Sequence, residues 1–347
     1  MNPQDFIAKS TEGVIFDARS PAEYAEGHIP GALSLPLFSD EERAEVGTCY
    51  KQHGKAKAVR LGLEIVGPKM ASLLHRADDL AGDKDIYLHC WRGGMRSGSL
   101  SWLLKTGGKT VHLLDGGYKA YRTWMYEQFE RPFKFTVVGG MTGSGKTEIL
   151  QELQGIGEQV IDLEGLANHR GSAFGAVGKG LQPSVEHFQN LLHHAIQQLD
   201  LSRTIWVEDE SQHIGKVWIN QQFFVQLKSS PLYVVDRPLN ERVEHLCRIY
   251  GEANNEEFNA IFQKIGRRLG GQHVKSAVEA IDAGNLASAA EIALTYYDKS
   301  YRYMLDKRKL VAVATIDASG MTPADVAREL ITLNQERIRG KSEVNQS

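Results

Sequence analysis

The chain has 347 residues, 42% of them hydrophobic, and its 40 Lys and Arg against 43 Asp and Glu leave a formal net charge of −3. That length supports two ordinary domains with real cores, and the charge balance excludes a global basic field, so a nucleic-acid partner must be held by a local patch. Cys49, Cys90 and Cys247 are widely spaced, lack the paired spacing of a zinc site, and fit a reducing compartment. No apolar run approaches the ~20 residues of a membrane span, and the opening residues lack the apolar core of a signal peptide. The expectation is a cytoplasmic protein with no membrane partner.

In chain order, Val14-Ile15-Phe16-Asp17 is a short apolar strand ending in an acid, and Ser20-Pro21-Ala22-Glu23 is a capping box with proline at the first helical position. Gly27 to Ala32 is turn-rich and leads to the apolar stretch Leu33 to Phe38. The strand Ile86-Tyr87-Leu88 runs into His89-Cys90-Trp91-Arg92-Gly93-Gly94-Met95-Arg96-Ser97, followed by the opening of a helix. Cys90 thus sits at a strand-to-helix turn, where glycines permit a curled backbone. Its N–H groups, the helix N-terminus and Arg96 would surround an anion and favour thiolate over thiol. We take Trp91, Arg92, Gly93, Gly94, Met95 and Arg96 as the anion-binding loop and Cys90 as the nucleophile. Val111 to Leu114 then leads to Asp115-Gly116-Gly117-Tyr118-Lys119-Ala120. The alternation is α/β, with the thiol at the carboxyl end of a strand, where open parallel sheets place their sites.

A second domain is predicted from Arg131-Pro132, giving domains 1–130 and 131–347. Phe135 to Gly139 is a buried-type strand that runs into Gly140-Met141-Thr142-Gly143-Ser144-Gly145-Lys146-Thr147, a full G-x4-G-K-T phosphate loop with an apolar helix after it. Gly140, Gly143, Ser144 and Gly145 would cradle a di- or triphosphate, Lys146 would reach its outer phosphates, and the Thr147 hydroxyl would ligate Mg²⁺. Two acidic strand ends compete to complete a Mg²⁺ site, Asp162-Leu163-Glu164 and Glu208-Asp209-Glu210, and the sequence leaves the choice open; we take Asp162, Glu208 and Asp209 as the candidates. Arg237 and Arg242 follow another strand and could reach a pyrophosphate. Asn168-His169-Arg170-Gly171-Ser172-Ala173-Phe174-Gly175, continuing to Lys179-Gly180, reads as a mobile segment able to close over an anion, with Arg170 its phosphate contact. The apolar stripe Val185, Phe188, Leu191, Leu192, Ala195, Ile196 and Leu199 predicts a core-facing helix, whose His187, His193 and His194 read as surface or capping residues. The C-terminal third is helical. Lys264, Arg267 and Arg268 form one basic cluster; Arg302, Lys307, Arg308 and Lys309, interleaved with Tyr296, Tyr297, Tyr301 and Tyr303, form another that suits unstacked nucleotides, although such a stripe is more often a solvated helix face with buried tyrosines. Leu310 to Ile316 predicts a last strand.

These residues resemble known families. Asp17-Ala18-Arg19 with Gly27 to Ala32 looks like the first signature of rhodanese domains, Leu114 to Ala120 resembles their closing signature, and Cys90 falls where their persulfide cysteine lies. The Cys90 to Arg96 spacing is one residue longer than in simple sulfurtransferases and matches the HC-x5-R of cysteine phosphatases, so a phosphatase reading stays open on the residues alone. The longer loop has room for a tetrahedral, phosphate-like group. The pairing of such a thiol loop with the phosphate loop, together with Asn168 to Gly175, resembles the bacterial tRNA 2-selenouridine synthases. That resemblance implies an α/β fold, with an N-terminal rhodanese-like domain followed by a P-loop NTPase-like parallel α/β domain with a helical C-terminal part. It also implies a transferase that replaces the sulfur of wobble 2-thiouridine in tRNA with selenium. Its implied co-substrates are selenophosphate and geranyl diphosphate, the latter giving an S-geranyl intermediate. An ATP-dependent rhodanese-type sulfurtransferase or kinase acting on RNA is the competing reading.

Overall fold

The computed structural model describes residues 1–251, 254–307 and 313–344. The chain divides into two compact units, Met1–Glu130 with Glu186–His194, and Arg131–Val185 with Ala195–Ser347. Among the described residues no helix is long and apolar enough to cross a membrane.

In the first unit, β1 (Val14–Asp17), β2 (Leu33–Ser34), β3 (Ile86–His89) and β4 (Val111–Leu113) form a parallel sheet of order β2-β1-β3-β4. Alternation along these strands divides the core. Phe16 and Leu88 face the helices Met70–Ala81 and Met95–Thr106 through Leu73, Ala77, Leu100 and Leu104. Ile15 and Tyr87 instead pack with Phe6, Tyr118 and Tyr121 from the helices Pro3–Lys9 and Gly117–Gln128. Helices on both faces are what an all-parallel sheet requires.

In the second unit, β5 (Phe135–Gly140), β6 (Gln159–Ile161) and β7 (Ile205–Glu208) precede a small antiparallel pair, β8 (His213–Ile214) and β9 (Val217–Trp218), and then β10 (Leu232–Asp236) and β11 (Ala314–Asp317). The five-stranded sheet is parallel, in the order β11-β10-β5-β7-β6. Val138, Trp206, Tyr233 and Val235 pack on one face against Ile149, Leu153 and Leu330 of the helices Lys146–Gly155 and Pro323–Val344. Phe135 packs on the other face against Phe223, ring centroids 4.8 Å apart. The last strand is shorter than the predicted stretch from Leu310, whose first residues, like Arg308 and Lys309, lie outside the described residues.

The helix Val185–Gln197 departs from a simple division at residue 130, because Glu186–His194 belong to the first unit. Polar pairs hold them there. The Tyr118 hydroxyl donates to Glu186 (2.9 Å) and accepts from Asn190 Nδ2 (2.7 Å), while Arg122 donates to Asn190 Oδ1 (2.7 Å) and Gln189 Oε1 (2.8 Å). Phe188 and Leu192 are buried, as the apolar stripe predicts. His193 is not the surface or capping residue expected of it: it is buried, with ring centroids 4.9 Å from Trp124 and 5.8 Å from Tyr121. His187 stacks on His28 at 4.1 Å.

Burial, with smaller contributions from neighbouring positive groups, pulls His193 from an ordinary 6.5 down to about 3, and burial together with His28 pulls His187 to about 4. Below pH 6.5 the unfolded chain therefore binds protons that the folded unit refuses, and stability falls as pH drops through the window from about 6.5 towards 4. The slope approaches about 1.4 kcal/mol per pH unit for each such histidine. Thermal unfolding should show a lower Tm at pH 5 than at pH 7.5, with the difference reduced in His193→Phe. Equal sensitivity in the variant would contradict this role for His193.

Candidate active site

The three sequence signatures of the first unit meet at Cys90. The Arg19 guanidinium, buried, donates to Asp17 Oδ2 and the Gly27 carbonyl (both 2.6 Å) and lies 3.8 Å from the centroid of the Tyr118 ring. Tyr118 in turn donates its backbone N–H to the Cys90 carbonyl (2.8 Å), and Lys119 donates to that of Trp91 (2.9 Å). This close packing requires Gly117. Its φ is 63°, and a Cβ there would stand 2.3 Å from both the Cys90 carbonyl oxygen and the Gly93 nitrogen.

Cys90 follows β3, just before the helix Met95–Thr106 opens, and its side chain is buried. Burial alone would raise the thiol pKa. It is outweighed by the Ser97 hydroxyl, 3.2 Å from Sγ, and by the backbone N–H groups of Ser97, Gly94 and Arg92, so the net displacement is downward. Arg96 does not supply this field as the sequence suggested. Both its terminal nitrogens bind Glu23, one at 3.2 Å and the other closer, and Glu23 also accepts from the Ser20 backbone. Arg96 therefore ties the loop to the helix Pro21–Glu26. Ser97 was missed from sequence, although its position in the first turn after the glycines is the available signal. Trp91, Arg92, Gly93, Gly94 and Met95 form an exposed rim.

The phosphate loop in the second unit opens on a cavity of about 600 Å³ lined by Gly140, Gly143, Ser144, Gly145, Lys146 and Thr147. Lys146 Nζ donates to the Gly140 carbonyl (3.0 Å), and the Thr147 hydroxyl donates to Glu164 Oε2 (3.2 Å). β7 lies beside β5 and β6 beside β7, which brings both acidic stretches to the cavity: Asp162, Glu164, Asp209 and Glu210 all line it, and Glu164 and Glu210 lie against each other. Burial first, and then the negative charge of Glu164, push Glu210 up to about 8, against the opposing pull of Lys146. Gly171, at φ 65°, fits against the pair; a Cβ there would be 2.6 Å from an oxygen of each carboxyl group.

The acids chosen from sequence have other partners. Glu208 is buried and accepts the Glu164 backbone N–H (2.7 Å), and burial, with Asp162 and Glu164 nearby, raises its pKa well above the ordinary value. Asp209 is paired with Lys228 at 2.7 Å. Asp162 borders the cavity but caps the short helix Leu163–Leu166 by accepting from Gly165 (2.7 Å). Arg237 is likewise committed, to Glu241 (2.9 Å) and the Met321 carbonyl (3.1 Å), and Arg242 binds Asp298 (2.7 and 2.8 Å). Thr147, Glu164 and Glu210 offer the hard oxygens that suit Mg²⁺.

The segment read as mobile is packed down in this structure. Arg170 lines the cavity, donates to the Val177 carbonyl (2.8 Å) and lies 5.2 Å from the Tyr250 ring centroid; Ala173 N–H donates to the Tyr297 hydroxyl (3.0 Å); and Phe174 is buried among Phe258, Phe262 and Tyr297. Tyr296, Tyr297 and Tyr301, which the sequence placed in a nucleotide stripe, border the phosphate cavity, and Tyr301 accepts the Gly140 N–H (2.8 Å). Arg268 of the first basic cluster joins them. Beside this cavity is an apolar pocket lined by Phe174, Leu246, Phe258, Phe262, Ala289 and Ala293, and the two share Thr142, Ser172, Leu246, Tyr250 and Tyr297.

A family model described as the tRNA 2-selenouridine synthase AAA domain matches residues 133–322, and a rhodanese-like domain model matches residues 2–123. The tRNA 2-selenouridine synthase of Sulfurovum sp. (strain NBC37-1) is 35% identical over 84% of this chain and 89% of its own length. The chain belongs to the tRNA 2-selenouridine synthase family. Other members include those of Psychromonas ingrahamii, 32% identical over 85% of this chain and 88% of that protein, and Nitrosomonas europaea, 39% identical over 68% and 63%. In this family member the rhodanese-like region carries Cys90 and the AAA-domain region carries Lys146.

If Ser97 and the backbone cradle hold the thiolate, Ser97→Ala shifts the pH profile of Cys90 alkylation by iodoacetamide to higher pH. An unshifted profile would refute the role assigned to the hydroxyl.

Proposed function

We propose that this enzyme converts wobble 2-thiouridine in tRNA to 2-selenouridine in two half-reactions, geranyl transfer at the phosphate loop and selenium transfer at the Cys90 loop. The observation that carries the first is the apolar pocket adjoining the phosphate cavity, which pairs a seat for a diphosphate with one for a hydrocarbon chain. Backbone N–H groups and Lys146 would hold the diphosphate of geranyl diphosphate and stabilise the charge it gains on leaving. Thr147, Glu164 and Glu210 would hold Mg²⁺, which supplies charge neutralisation when bound. The C–O bond of the donor breaks with its electron pair going to diphosphate, and the base sulfur takes the geranyl carbon. Alkylation turns a poor leaving group into a thiolate that can depart. The pocket now holds only about 40 Å³, room for a few water-sized groups, so entry of the chain requires lining side chains to move apart.

At Cys90 the donor is selenophosphate. Attack of the thiolate on selenium would expel phosphorus in its reduced, phosphite state. Release of phosphate needs attack on phosphorus instead, and the loop, with its N–H cradle and the longer Cys90 to Arg96 spacing, has room for the tetrahedral group. The P–Se bond then breaks with its pair on selenium, hydrogen selenide adds at C2 of the alkylated base, and geranyl thiolate leaves. Water cleaves the S-phosphocysteine to phosphate and free thiol. The selenium donor thus passes its selenium to the base within one site, and the family substrate, tRNA, is the acceptor.

Mass analysis of nucleosides from tRNA incubated with both donors separates the halves. Cys90→Ser should accumulate S-geranyl-2-thiouridine and make no 2-selenouridine, whereas Lys146→Ala should reduce geranyl transfer at least 100-fold, on the order of losing one charged transition-state contact. Selenouridine from Cys90→Ser, or undiminished geranylation by Lys146→Ala, would overturn the assignment.

A further inference from the structure

The rim around the Cys90 thiol carries two groups that this chemistry does not use. Trp91 remains 36% exposed although His89 and Cys90 before it are buried. Its position is fixed, since its carbonyl accepts from Lys119 and the neighbouring Cys90 carbonyl accepts from Tyr118. Its ring is backed by Tyr118, centroids 5.9 Å apart, which is itself held by Arg19, Glu186 and Asn190. Arg92, the next residue, is exposed and makes no side-chain hydrogen bond or ion pair among the described residues. Gly93 and Gly94 follow, so these two positions add no side chain to the rim.

A rigid, half-open aromatic ring, an uncommitted guanidinium and a glycine gap, all within one turn of a nucleophile, match the parts of a single unstacked nucleotide. We propose that Trp91 is the stacking platform for the pyrimidine to be modified and that Arg92 takes an adjacent phosphate. Trp91 directly follows Cys90 in the chain, with Cα atoms about 3.8 Å apart, so a base held on its ring would lie in the neighbourhood of the Cys90 loop. This rests on the proposed tRNA reaction but concerns binding, which can be measured without turnover.

The test uses the full-length protein and a fluorescently labelled anticodon stem–loop RNA containing 2-thiouridine, with affinity read by anisotropy. Trp91→Ala should weaken binding about tenfold, Trp91→Phe should restore most of it, and Arg92→Ala should weaken it while flattening its salt dependence. Unchanged affinity in Trp91→Ala overturns the platform. Rescue by Trp91→Leu as complete as by Phe would also overturn it, by showing plain apolar contact, as a prenyl chain would make. A protein that binds the RNA through Trp91 yet makes no selenouridine would reject the proposed reaction and leave the platform standing.

Discussion

A buried sulfur favours its neutral form, and the first unit is organised around reversing that preference at Cys90. The reversal comes from backbone N–H groups and one hydroxyl, not from a cation pressed against the sulfur. Such a cradle works only if the loop is held to a fixed curl, and three separate parts of the chain hold it: Glu23 through Arg96, Gly117 and Tyr118 through the Cys90 carbonyl, and the buried Asp17–Arg19 pair beneath Tyr118. The first and last rhodanese signatures are therefore packing devices for the middle one.

A second strand-to-helix turn, at Lys146, offers an N–H cradle of the same kind, suited to an anion. Around it the chemistry differs. Glu164 and Glu210 crowd each other, and the cavity adjoins an apolar pocket lined in part by Phe174. Like charges at close range favour sharing a proton until a cation arrives. A diphosphate bearing a hydrocarbon tail would meet a polar surface and an apolar one side by side. Under the proposed function one loop would receive a small tetrahedral anion and the other a larger amphipathic one, the division of labour that two successive alkyl and selenium transfers require.

Both loops were legible in the sequence because each is local: an apolar strand, a glycine-rich turn and a helix, contiguous along the chain. Their partners were not. Glu164 and Glu210 come together only through the order β5-β7-β6, which no local pattern encodes. Arg96 was read as an anion contact because its neighbour Glu23 lies 73 residues away. The stripe through Phe188 and Leu192 announces a buried helix but not the unit against which it is buried, so no local pattern marks His193 as a buried residue. Tyrosine and arginine spacing in the C-terminal helices suggested a nucleotide surface, while the fold turns Tyr296, Tyr297 and Tyr301 toward the phosphate cavity.

If the two sites act in succession on the same base, the second must work without the first once the intermediate is provided. Incubating the Lys146→Ala protein with selenophosphate and tRNA that already carries S-geranyl-2-thiouridine tests this directly, with nucleosides identified by mass. The account predicts 2-selenouridine and released geranyl thiol at close to the unaltered protein's rate. S-geranyl-2-thiouridine left intact, while the unaltered protein consumes it, would contradict the separation of the two halves.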